Sequence, residues 1–259
     1  MGSRMSAGKN GAVVLPPPVI PAAVMATRIR PEMIPLNNLF SYFFSGASPT
    51  EEERREYLDE PIAALPPKVA ALLPPTGLLF VPFLERSRGR KNGADQVSAV
   101  RPAHAVSATR ASFDDGQVLL FAFEDRDVGE YHYRFFQSMA AVTAERMPKE
   151  VEGEYLSLIR NELRNNIHGE VDEVSWEMKI ALLERPSRFH GSNKSLRDYA
   201  GHSFIDTMTL YLHGICCDLD VETGPRQLAS RHLRKRLELL EREFPPPSGY
   251  AVFPEDLKN

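Results

Sequence analysis

The chain has 259 residues, 42% of them hydrophobic and 25% charged, so it is long enough to bury a core without disulfide or metal staples. Its formal charge of −4 supplies no general attraction to nucleic acid or anionic membrane, and polyanion binding would need a local basic patch. The only two cysteines, Cys216 and Cys217, are neighbours that bridge only with strain, which points to free thiols and a reducing, cytoplasmic compartment.

The segment Gly11 to Met25 is apolar, but Pro16, Pro17, Pro18 and Pro21 exclude a signal-peptide helix. No run approaches the roughly 20 apolar residues of a membrane span. Met1 to Arg4, ahead of Met5, reads as a cloning remnant. Thirteen of the 21 prolines fall before residue 83, so this third of the chain is expected to lack long regular elements. Residues 1–35 are expected to be an extended or disordered Pro-rich arm, followed by one domain over 36–259. Ser48-Pro49-Thr50-Glu51 reads as a helix start capped by Ser48, and that helix should stop before Pro61.

Residues 77–124 carry the strand signals. GLLFVPFL (77–84) is a compact apolar run, and Pro82 suggests an edge position. Residues 96–100 and 104–113 alternate in part, and QVLLFAFE (117–124) is strongly apolar. Asp114-Asp115-Gly116 reads as a hairpin turn in which glycine supplies a positive φ. A small antiparallel sheet of three or four strands follows from these signals.

After Asp127, a cap with Glu130 three residues on, the period becomes helical. Val128, Tyr131, Phe135, Met139 and Val142 mark one buried face. Further helices are expected over about 149–165, 172–185, 195–213 and 225–243, the third capped by Asp172 and stopped by Pro186. Asn165, Asn166 and Gly169 suit a helix end in the left-handed region. The expected fold is thus α+β, with the sheet packed by a C-terminal helical layer (about 127–244).

Several places concentrate chemistry. His202, Asp206, Thr209 and His213 share one face of the 195–213 helix, and His202 with Asp206 at i and i+4 suits one divalent metal ion. His202 and His213 are about 16 Å apart along the axis and cannot share that ion. The bland alternative is the polar face of an amphipathic helix. His213-Gly-Ile-Cys216-Cys217-Asp-Leu-Asp220 is chemically dense, but it lacks the spaced cysteine pair of a zinc site. A cysteine beside the histidine could be an activated nucleophile, yet no second element of a cysteine hydrolase signature is present. The string reads first as two small buried apolar residues at a helix end. His168 sits in a connector that could bring it beside His202. Gly224 and Arg226 open the last helix and could bind an anion. That helix and the Arg86–Gly93 loop are basic but carry no interleaved aromatics, so each reads first as a solvated face.

No segment spells a reaction. The leading expectation is a non-enzymatic interaction or regulatory module, its protein partner met by the Pro-rich arm or the basic last helix. The first alternative is a metal-dependent hydrolase with ligands among His168, His202, Asp206 and His213. The second is nucleic-acid or nucleotide binding through the basic loop and helix, and nucleic acid is the less expected partner.

Overall fold

The computed structural model describes residues 19–46, 48–86, 95–124, 127–184, 194–217 and 228–253. The fold is α+β, with one antiparallel sheet, one mixed sheet, and helices filling the C-terminal half. Among the described residues no helix is long and apolar enough to cross a membrane.

The N-terminal part departs from the expected arm. Strand β1 (Ile20–Pro21) leads into helix α1 (Ala22–Ile29), followed by strands β2 (Ile34–Pro35) and β3 (Phe40–Phe44). Residues 1–18 lie outside the described residues. Pro21 stands just ahead of the first helical turn, where no backbone donor is required, and the next eight residues contain no proline. Ala22 and Ala26 are buried, with Met25 and Ile29 packed beside them.

The next helix starts at Thr50, not Ser48. The Thr50 hydroxyl accepts from Glu53 N–H at 3.1 Å, and the Glu53 carboxylate accepts from Thr50 N–H at 2.8 Å. This reciprocal capping box satisfies two terminal donors at once. The helix also passes Pro61 instead of ending before it. Helix α2 (Glu51–Arg54) widens into a π turn over Arg55–Asp59 and resumes as α3 (Glu60–Ala63). Proline lacks the donor for an i−4 bond and crowds that carbonyl, and a wider turn relieves the conflict. The short α4 (Pro67–Ala70) follows.

The apolar run around 77–84 splits at Pro82. Its first part is β4 (Thr76–Val81), and its second is β5 (Phe83–Glu85) in the other sheet. Strands β6 (Gln96–Ser98), β7 (Ala105–Val106), β8 (Ala108–Phe113) and β9 (Gly116–Ala122) complete the two sheets. The antiparallel sheet has the order β1-β6-β5-β7, and the mixed sheet β2-β3-β4-β9-β8. Strand β4 is therefore central, not an edge, and pairs in parallel with both β3 and β9. Pro82 marks where the chain leaves one sheet for the other.

Burial on both faces explains why β4 and β9 read as continuous apolar runs. Leu78, Phe80, Leu119 and Phe121 face the helices, while Leu79, Val81, Val118 and Leu120 face α1 and the smaller sheet. The β8–β9 hairpin turns on Asp114–Asp115, and Phe113 pairs with Gly116. Gly116 has no positive φ; a Cβ there would meet the Pro75 carbonyl oxygen at 2.5 Å, so close backbone approach requires the glycine.

The C-terminal helices are α5 (Val128–Arg146), α6 (Lys149–Arg164), α7 (Glu173–Leu183), α8 (Lys194–Cys217) and α9 (Ser230–Glu243). Asp127 and Asp172 cap α5 and α7 as their spacing implies. Helix α6 ends with Asn166 at φ 51°. There Ile167 N–H reaches Glu162 O and Asn166 N–H reaches Leu163 O, a Schellman pair that turns the chain inward.

That turn delivers Glu170 to a buried charge network. Arg236, fully buried on α9, was expected on a solvated basic face. Its guanidinium instead donates to both Glu162 oxygens at 3.1 and 2.5 Å, to both Glu170 oxygens at 2.8 Å, and to Ser203 Oγ at 2.8 Å. Lys179 Nζ, also fully buried, donates to Gly169 O at 2.8 Å and lies 3.4 Å from Glu170. The Tyr199 hydroxyl donates to the same carboxylate. Two cations thus balance two anions. Burial alone would raise the Glu170 pKa, but Arg236, Lys179 and Tyr199 hold it down at about 2.

Arg236→Met should destabilise the fold by about 3–5 kcal/mol, because two carboxylates then share one buried ammonium. Arg236→Met with Glu162→Met removes one charge of each sign and leaves the Lys179–Glu170 pair. The double variant should therefore be the more stable of the two in urea denaturation.

Candidate metal centre

Helices α5 and α8 lie against each other, and their contact builds the site. His213 and Cys217 are four residues apart near the end of α8, which puts both on one face. His132, buried on α5, meets them from the opposite side. One ligand atom from each residue lies within 4.8 Å of the other two. Among the described residues this is the only such group of three His, Cys or carboxylate side chains.

The His132 ring is fixed at both nitrogens. Nε2 lies 2.7 Å from the Glu56 carbonyl oxygen, in the π turn before Pro61. A carbonyl only accepts, so Nε2 carries the proton and donates. In the neutral ring Nδ1 then holds the lone pair, and it lies 3.2 Å from Cys217 Sγ. The His213 ring is boxed in by Tyr133 and Phe136, at ring-centre distances of 6.2 and 5.9 Å.

Electrostatics favour a thiolate at Cys217. Without a metal, the Cys216 thiol and then both imidazoles, each carrying a proton on the nitrogen that faces Cys217, donate to its sulfur and pull its pKa well down, against the opposing effect of burial. A bound ion would displace those protons. The bond from Cys216 to Cys217, together with burial, pushes the Cys216 pKa up. Burial disfavours the charged His132 ring, yet its bonds to Cys217 and the Glu56 carbonyl raise its pKa above the ordinary histidine value. Of the two thiols, Cys217 is thus the one that faces the imidazoles, with Cys216 as its hydrogen-bonding neighbour.

Two imidazoles and a thiolate are the ligand types of zinc and related soft divalent ions. Tetrahedral zinc with ordinary bond lengths sets neighbouring N and S ligands about 3.5 Å apart. The His132–Cys217 separation is within a few tenths of an ångström of that. Histidine ligands also commonly donate their second ring N–H to a carbonyl, as His132 does to Glu56.

Of the residues named from sequence as metal ligands, His213 alone belongs to the cluster, joined by Cys217 from the 213–220 string. His202 is exposed on α8. His168 is exposed and packs edge-on against Trp176 at 4.7 Å. Asp206 accepts from the buried Ser175 hydroxyl. None of these three joins a group of metal ligands among the described residues. Gly224, Arg226 and most of the 86–93 loop lie outside the described residues. His132 and Cys217 escaped the sequence reading as a pair. The four-residue His213–Cys217 spacing was a usable signal, but nothing in the chain announced that His132 faces it.

Asp206 makes a separate pH prediction. Burial raises its pKa to about 6, over the lowering effect of Ser175, with Asp172 and Glu170 adding to the rise and Arg236 opposing it. The folded state therefore binds this proton more tightly than the unfolded chain does. The resulting penalty is absent below about pH 4, grows as pH rises, and is complete above about pH 6. Asp206→Asn, which keeps an acceptor for Ser175, should stabilise the protein by about 2–3 kcal/mol at pH 7.5. Little difference from wild type should remain at pH 4 in paired urea denaturations.

Comparison of the chain with family models, with curated proteins and with solved structures finds no match, so the geometry of His132, His213 and Cys217 stands as the guide to function.

Proposed function

We propose that this chain is a metalloprotein that binds one soft divalent transition-metal ion, zinc being the type case, through His132 Nδ1, Cys217 Sγ and a ring nitrogen of His213. The observation that carries this reading is the convergence of two imidazoles on one sulfur, with the His132 lone pair turned inward by the Glu56 carbonyl. A cysteine nucleophile could be activated by the same imidazoles, but it would not call for two of them to converge on the sulfur at metal-ligand spacing. A metal ion uses all three groups.

Three protein ligands leave a fourth tetrahedral position for water or substrate, which is the stoichiometry of catalytic zinc more than of structural zinc. A bound ion would supply Lewis-acid activation of that water, the chemistry of a metal-dependent hydrolase. The hydrolase reading thus moves to a centre made by α5 and α8, away from the His202–Asp206 face. The charges of the Arg236 network are fully buried and mutually satisfied, whereas His213 and Cys217 are only half-buried.

Metal analysis and cobalt titration test the proposal. The full-length protein should take up close to one cobalt ion per chain and develop a thiolate-to-cobalt charge-transfer band. Cys217→Ser should abolish the band, and His213→Ala should weaken binding by at least about tenfold. His202→Ala should leave both unchanged. Wild-type protein that neither holds metal nor develops the band would overturn the reading.

A further inference from the structure

We infer that Pro61 is a positioning residue for this centre: by removing one backbone N–H, it leaves the Glu56 carbonyl open to His132 Nε2, and that bond aims Nδ1 at Cys217. The inference rests on the metal reading for its functional meaning, but the positioning itself follows from the backbone.

The π turn sets the stage. Glu60 N–H reaches back five residues to Arg55 O, not four to Glu56 O. At the same five-residue spacing Glu56 O would be served by the N–H of residue 61, which proline lacks. In ordinary α-helical spacing residue 61 would serve Tyr57 O instead, so that carbonyl also loses a donor. Two successive carbonyls are therefore left open toward α5.

Successive side chains of α5 fill them. The Tyr131 hydroxyl donates to Tyr57 O at 2.7 Å, and His132 Nε2 donates to Glu56 O at 2.7 Å. Tyr131, His132 and Tyr57 are all buried, so the exchange is shielded from competing water. The Tyr131 bond locks the helix to α5. The His132 bond fixes a tautomer and a ring orientation, the role that a carbonyl or carboxylate commonly plays behind a histidine ligand. A proline some distance from the ligands in sequence thereby determines which nitrogen faces the sulfur.

Pro61→Ala restores an N–H at residue 61. That donor either competes for Glu56 O directly or lets the turn tighten so that Glu60 N–H takes it. Tyr131→Phe is the control, since it disturbs the same turn but leaves the His132 bond in place. Ring-nitrogen NMR of the metal-free full-length chain should show His132 protonated at Nε2, with a proton that exchanges slowly with water. Pro61→Ala should speed that exchange at least about tenfold and weaken cobalt binding by about 10–100-fold. Tyr131→Phe should leave the His132 proton protected and cobalt affinity near wild type.

A Pro61→Ala protein that keeps the protected proton and full affinity would overturn the inference. So would a Tyr131→Phe protein that loses both as completely as Pro61→Ala, because general loosening would then explain the effect. If Pro61→Ala does not fold, wild type alone decides, since a His132 ring protonated at Nδ1 and bare at Nε2 overturns the assignment. Wild type that binds no cobalt, but loses His132 protection only in Pro61→Ala, would remove the metal reading while supporting the positioning role.

Discussion

The guanidinium of Arg236 holds the helical half together. It draws Glu162 from α6, Glu170 from the connector before α7, and Ser203 from α8 onto one residue of α9. Each ion in such a cluster has lost its hydration, so the arrangement is tolerable only when every charge is matched and every lone pair is used. That condition is met by bidentate geometry, by Lys179, and by Tyr199. The requirement also reaches back along the chain, because Glu170 arrives in place through the left-handed Asn166 and the Schellman turn.

Helix α8 links this network to the candidate centre. Tyr199 and Ser203 tie its first half to the charges, and His213 and Cys217 stand on its last turns. A site of this kind needs its ligands fixed to within a fraction of an ångström, and helices held by packing do this better than loops. The opposite wall is equally fixed. Helix α5 packs Phe135 and Met139 into the main core while its neighbouring residues Tyr131 and His132 bond to the π turn. The proline-rich N-terminal third thus takes part in the site through one backbone carbonyl.

The places where the sequence reading failed share a cause. Proline density predicted an arm over 1–35 and a helix end before Pro61. In the structure Pro21 stands where a helix needs no donor, and the π turn lets the 51–63 helix absorb Pro61. Pro82 suggested an edge strand, yet it lies at a crossing between two sheets. In each case the local rule about a missing N–H held, while tertiary packing chose how to satisfy it. Arg236 failed for a related reason, since composition gives an arginine no sign that two carboxylates await it.

The sequence by itself determined the elements: the helical period after Asp127, the caps at Asp127 and Asp172, the Asp114–Asp115 turn, and an α+β fold. These are local matters of spacing and backbone chemistry, and a few neighbouring residues decide them. The four-residue step from His213 to Cys217 is local too, but the expected helix stopped at residue 213, and it is the structure that carries α8 to Cys217 and puts both on one face. Only the tertiary structure decided that β4 and β9 are parallel and buried on both sides, because pairing partners far apart in the chain leave no local trace. Only the tertiary structure brought His132 to that face with its lone pair turned inward. The direction of that lone pair depends on a carbonyl 76 residues away, and no periodicity within α5 encodes it.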